Sequence, residues 1–205
     1  MFYETRHRDK GKLPHDPFKA IVAPRPIGWI STRALDGRIN LSPYSFFNGF
    51  CSVPPIVGFS SEGWKDSATF AKESGEFVAN LATLELRDPM NATSAPFPRG
   101  VNEFERAGLT MAECRLVAAP RVAESPASLE CKVVEIVEIR SRDGSWSGAV
   151  LTLGEAIAFH IDEAFIREGR FDTARAHPLA RCGYQDYAAV ESLFALARPK
   201  GGGDI

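Results

Sequence analysis

The chain has 205 residues, a formal net charge of -2 and a hydrophobic share of 44% against 24% charged. That balance leaves no electrostatic footprint for nucleic acid or an anionic membrane, and the length suits one domain that buries about 70% of its unfolded surface without a staple. Cys51, Cys114, Cys131 and Cys182 form no CxxC pair, and His7, His15, His160 and His177 have no ligand spacing, so reduced thiols and no metal site are expected.

The amino terminus, MFYETRHRDKGK, is charged and has no signal-peptide core, and no run of about 18 apolar residues offers a membrane span. A cytoplasmic protein is the expectation. The first pattern lies in Phe18 to Ser45: Ile27 to Ala34 reads as a strand, Asp36-Gly37 as a hairpin turn and Arg38 to Leu41 as the returning partner. The stretch NLSPYSFFNGFCSVPP follows; Pro43 argues against a central strand, and Pro54-Pro55 ends any regular element. Ile56 to Ser60 is a short apolar strand. Asp66 or Ser67 caps a short helix that Gly75 closes, and Glu76 to Leu81 is again a strand.

Thr83 to Ala119 reads as two helical pieces outside the sheet, LELRDPMNATS interrupted by Pro89 and VNEFERAGL ended by Gly108. Ala127 to Ser141 is a long strand whose alternation changes phase after Val133-Val134, the mark of a bulge. Asp143-Gly144 turns the chain, Ser147 to Asp162 returns with a bend at Gly154, Gln185 to Leu196 reads as a terminal helix, and 198–205 reads as a flexible tail. Hairpin-linked strands without regular strand-helix alternation predict a single mostly β (α+β) domain, an antiparallel barrel with peripheral helices.

No GxSxG, HExxH, GxxxxGK[ST] or Rossmann GxGxxG occurs outside the glycine tail, so hydrolase, zincin and P-loop readings have no starting point, and a nicotinamide would bind without the Rossmann module. Ser42, Ser45, Lys65 and Ser67 are a kit for a phosphate, with Lys65 just before the short helix. Lys65 also reads as a solvated lysine beside an ordinary cap. Trp29 and Tyr44 suit a planar ring, although core packing explains most aromatics here. His160 is a candidate proton donor or a hydrogen-bonded structural residue, and Arg181 serves a phosphate or an intersubunit ion pair equally well.

RPIGWIST, DG, NLSPYSFFN, VPPIVGFS, KDS and GEFVANL, followed by GVNEFERAGLT, ESPASLEC, GEAIAFHID and LARCGYQDY, resemble in order and spacing the flavin reductase-like group of FMN-binding split-barrel proteins, over about 17–187. Ser42 and Ser67 depart from the alanine and threonine common in that group, and both keep the size or the hydroxyl. The resemblance implies a homodimer with FMN near the subunit interface. It implies Trp29, Ser31 and Thr32 along the ring and ribityl chain, Asn40, Leu41, Ser42, Pro43, Tyr44 and Ser45 around the ring edge and ribityl, and Ser45, Lys65 and Ser67 at the phosphate. Ser60 and Ser61 follow on the neighbouring strand. The implied activity is NAD(P)H-dependent flavin reduction, with reduced flavin passed to a monooxygenase; the alternative is an FMN electron carrier that does not use NAD(P)H directly. The NLSPYSFFN and KDS blocks fit this group better than the pyridoxamine phosphate oxidase-like group, which shares the architecture.

Overall fold

The computed structural model describes residues 1–199, and the expected tail lies, from residue 200 onward, outside the described residues. A short helix α1, Phe18–Ile21, leads to strand β1, Arg25–Pro26. The first hairpin forms as expected, β2 (Gly28–Arg33) pairing β3 (Ile39–Tyr44) from Gly28↔Tyr44 to Arg33↔Ile39, with Gly37 in the turn at φ 91°. The return strand runs beyond Leu41 and includes Pro43. It can do so because β3 is the edge of its sheet, where a residue without an N–H is tolerated.

A second hairpin, β4 (Phe47–Ser52) with β5 (Pro55–Glu62), turns at Val53-Pro54. Helix α2, Asp66–Ser74, ends at Gly75, whose left-handed φ of 72° lets its N–H reach the Ala71 carbonyl. Its N-cap is Lys65 rather than Asp66 or Ser67, because those two side chains are engaged elsewhere: Asp66 pairs with Arg99 at 2.7 Å and Ser67 Oγ accepts from Asn40. Strand β6 is Glu76–Leu81.

Helices α3 (Arg87–Ala92) and α4 (Glu103–Ala107) follow. Pro89 falls in the first turn of α3, where a missing N–H breaks no helical bond, so it starts the helix instead of interrupting it. The two-residue strands β7 (Met111–Ala112) and β8 (Arg121–Val122) pair with each other, too short to show a period in the sequence. Strands β9 (Ala127–Arg140) and β10 (Trp146–Ile161) form a long ribbon. Its register steps from Leu153↔Glu135 to Gly154↔Val133, which leaves Val134 unpaired: the phase change is a bulge. Opposite it, Gly154 lies against the Phe77 ring so closely that a Cβ would overlap it.

After β11 (Ile166–Arg167), β12 (Arg170–Phe171) and α5 (Thr173–Ala176), β13 (Leu179–Gly183) pairs β14 (Asp186–Ala189). The helix expected over Gln185 to Leu196 does not form. Tyr184, at φ 43°, turns the chain back, and Asp186–Ala189 satisfy their backbone groups on β13. Residues 190–199 carry no regular structure and expose Leu193, Phe194 and Leu196.

The main sheet is antiparallel in the order β3-β2-β6-β9-β10-β5-β4, and its two edge strands, β3 and β4, are consecutive in the chain, joined by Ser45 and Phe46; Ser60 N–H, on β5, donates to the Phe46 carbonyl at 2.8 Å and extends the β4–β5 ladder to that junction. Inside lie Ile30, Phe59, Phe77, Cys131 and Ala156, with Ala71 of α2. On the opposite face of β2, Trp29 packs with Leu41, Met90, Phe104 and Val122, where α3 and α4 cover the sheet. Alternation along one strand thus feeds two cores. No helix among the described residues is long and apolar enough to cross a membrane.

The exposed edge of β3 is covered as well: Leu41 N–H donates to Glu103 Oε2 of α4 at 3.0 Å. Burial holds the Glu103 carboxyl above its ordinary 4.5, and the Leu41 bond only partly offsets this. An acid raised on folding stabilises fully below 4.5, and its contribution is lost as pH rises through the folded-state value. Carboxyls held low on folding, such as Glu85 and Asp143, act in the opposite sense, so in urea unfolding at pH 4.5 and pH 7 the Glu103 part is read as a difference: Glu103→Gln, which keeps the acceptor and removes the charge, is expected to change its stability more favourably with rising pH than the parent does. An unchanged pH slope in the variant would refute this account.

Candidate functional site

A polar groove of about 210 Å³ opens where β3 meets β5 and α2 begins, lined by Lys19, Ser42, Pro43, Tyr44, Ser45, Phe46, Ser60, Glu62, Lys65 and Ser94. The hairpin delivers Ser42 to Ser45 from the end of β3, and the bond from Ser60 to Phe46 sets Ser60 beside them. Lys65 stands at the mouth of α2, a nine-residue helix, so its ammonium and the helix's free N–H groups share one end. Asn40 faces Thr32 across the hairpin, and its Nδ2 donates to Ser67 Oγ at 2.7 Å, fastening the first turn of α2 to β3.

Tyr44 stacks at 4.9 Å, tilted, on Phe59. Burial pushes its phenol up, while the hydroxyls of Ser67, Ser61 and Ser42 around it act the other way. The phenol therefore stays a neutral hydrogen-bonding group. At the other wall Phe46 lies beneath Lys19 Nζ at 5.8 Å and the Arg25 guanidinium at 5.5 Å. Arg25 is buried, and its Nη1 donates to the Lys19 and Val22 carbonyls, so it pins α1, and with it Lys19, over the groove.

Six of the sequence candidates thus meet in the groove: Ser42, Pro43, Tyr44, Ser45, Ser60 and Lys65. Asn40, Ser61 and Ser67 lie buried behind it. Trp29, Ser31, Thr32 and Leu41 are fully buried, and none of them lines the groove. Trp29 Nε1 donates to Thr93 Oγ1 at 2.9 Å, and Ser31 Oγ to the Pro120 carbonyl at 2.5 Å. His160 is also elsewhere, its Nε2 held at 2.5 Å by Glu130. Arg181 lies over the Tyr187 ring at 4.4 Å and donates to the Tyr187 hydroxyl and the Tyr184 carbonyl, beside a separate cavity walled by α3 and β14. Lys19, Phe46, Glu62 and Ser94 line it without having been singled out in the sequence; Lys19 comes from a helix too short to read, and Ser94 from just beyond α3.

The donor set suits a phosphate ester with a polyol chain: two ammonium groups and a helix end for the dianion, and hydroxyls for the chain. At about 210 Å³ the groove is smaller than the roughly 300 Å³ lower bound for sites that enclose a whole small molecule, so any ring attached to that chain extends beyond it.

The chain matches the model of the family described as "Flavin reductase like domain" over residues 22–175. An uncharacterized protein of Deinococcus radiodurans is 36% identical over 210 residues, covering 94% of this chain and 89% of its own length. Among solved structures, nitrilotriacetate monooxygenase component B from Bacillus cereus superposes with a TM-score of 0.86 at 26% identity, over 96% of this chain and 98% of its own. Flavoredoxin of Desulfovibrio vulgaris (Miyazaki F) shares the fold with a TM-score of 0.78 at 21% identity, over 96% and 97%.

Proposed function

Because this chain belongs to the flavin reductase-like domain family, we propose that it binds FMN in the groove at the start of α2 and acts as a cytoplasmic NAD(P)H-dependent flavin reductase. The observation that carries this reading is the convergence of Lys65, Lys19, the α2 N-terminus and four serine hydroxyls in one groove. Lys65, Lys19 and Ser45 hold the phosphate, and Ser42, Ser60 and Ser94 meet the ribityl chain. Asn40 and Ser67 keep α2 at the right distance. When bound, FMN supplies hydride acceptance and donation at its ring. No side-chain acid or base is assigned to that chemistry, and the protein's part is grip and orientation.

A ring that extends beyond the groove needs a wall, and a second copy of the chain is the proposed source. Val137, Ile139, Trp146, Phe159 and Ile161 on the ribbon, with Leu193, Phe194 and Leu196 beyond β14, are exposed apolar groups suited to a homodimer. Likeness to a monooxygenase component supports the further proposal that reduced flavin goes to a monooxygenase.

Anaerobic titration of FMN-loaded protein with NADH, and separately NADPH, tests the reading in the visible spectrum. Bleaching of the flavin by one of them is expected. A protein that retains FMN but is not bleached would be an electron carrier instead, and failure to bind FMN would overturn the site itself.

A further inference from the structure

We propose that Cys114, Glu130 and His160 form a binding site for a divalent cation of the zinc type, which ties the segment between β7 and β8 to the outer face of the sheet. The three ligand atoms, one sulfur, one carboxylate oxygen and one imidazole nitrogen, all lie within 4.8 Å of one another. Thiolate with imidazole and carboxylate is a set that a borderline-soft, tetrahedral ion prefers.

The fold builds this cluster from positions far apart in the chain. Glu130 pairs Ala158, and Ser128 pairs His160, so Glu130 and His160 stand diagonally on one face of the ribbon. That is the outer face, because Leu129 and Cys131 point into the barrel. Cys114 is brought over it by the chain between β7 and β8. Glu130 is fully buried and rigidly held, accepting from the N–H groups of Arg115 at 2.8 Å, Leu116 at 2.6 Å and Val117 at 3.0 Å.

His160 Nε2 lies 2.5 Å from Glu130 Oε1, with one proton between them. A zinc ion with nitrogen and oxygen ligands at about 2.0 Å holds them about 3.3 Å apart in a tetrahedron, so replacing that proton asks for a movement of less than about 1 Å. Binding of the ion would displace the proton shared by His160 and Glu130 and release the Cys114 thiol proton. Glu130 and His160 also line a cavity of about 500 Å³ with Arg115 and Arg121, which gives a fourth ligand, water or a small anion, access to the ion.

Cobalt(II) added to chelator-treated, reduced protein is the probe. One cobalt per chain is expected, with a near-ultraviolet thiolate charge-transfer band that zinc abolishes. The band is expected to vanish in Cys114→Ser and in His160→Gln and to persist in Cys51→Ser, which removes the exposed thiol. Zinc is expected to raise the melting temperature of the parent and not that of Cys114→Ser; should Cys114→Ser fail to fold, His160→Gln carries the same comparison. No band in the parent, a band that survives both ligand substitutions, or cobalt bound without thiolate character would each overturn the site and leave the His160–Glu130 contact as a structural hydrogen bond.

Discussion

Lys65→Ala is expected to weaken FMN binding by one to two orders of magnitude while leaving the melting of the flavin-free protein unchanged. Lys65 is exposed and makes no ion pair among the described residues, so the folded chain loses almost nothing with it. A hydrogen bond to a charged group is worth about 1.5–3 kcal/mol, which sets the size of the effect. The remaining donors, Lys19, Ser45 and the α2 N–H groups, keep binding measurable. Fluorescence titration of FMN, with riboflavin as the comparison, checks the assignment: the substitution should cost FMN its advantage and leave riboflavin unaffected. Equal FMN affinity for variant and parent would remove Lys65 from the phosphate site.

Trp29→Ala is expected to cost about 3–5 kcal/mol of stability, the range for emptying a buried large aromatic site. Its ring is fully buried with Ile27, Leu41, Met90 and Phe104, and its Nε1 anchors Thr93 at the end of α3. Trp29→Phe keeps most of the apolar volume and loses the hydrogen bond with part of the ring, so it should unfold at lower urea yet bind FMN as the parent does once folded. The comparison separates two roles for this residue. A variant with unchanged melting and poor FMN affinity would put the flavin ring against Trp29, as the family resemblance implies; a stability loss alone would make it a core residue that supports the groove from behind.

Elements with a period or a punctuating glycine are legible in the sequence. The first hairpin, α2 with its Gly75 cap, β6 and the bulge after Val133 all stand where pattern and turn chemistry place them. The miss at Gln185 to Leu196 has a physical cause: its composition suits a helix, but a free edge on β13 was within reach after one turn, and that edge is invisible in a linear text. The same holds for the groove. Ser42, Ser45, Lys65 and Ser67 could be picked out by type as a kit for a phosphate, and the first three line the groove, whereas Lys19 enters only because Arg25 holds α1 down, and Ser94 only because Trp29 fixes Thr93 next to it. Trp29 itself illustrates the limit of composition, since an aromatic beside small polar residues looks the same whether it meets a ligand or a core.

The bulge at Val134 sits where β9 parts from β6, whose last pair with it is Glu76↔Lys132. Up to there Leu129, Cys131 and Val133 face inward, and beyond it Ile136 does, opposite buried Thr152. Removing Val134 would leave every neighbour on its present side and straighten the ribbon at that point, whereas a one-residue slip of the regularly paired run beyond it would swing charged groups such as Glu135 into the barrel. Curvature of this ribbon is thus set by residue count at irregular positions such as Val134, and not by the chemistry of the side chains that occupy them.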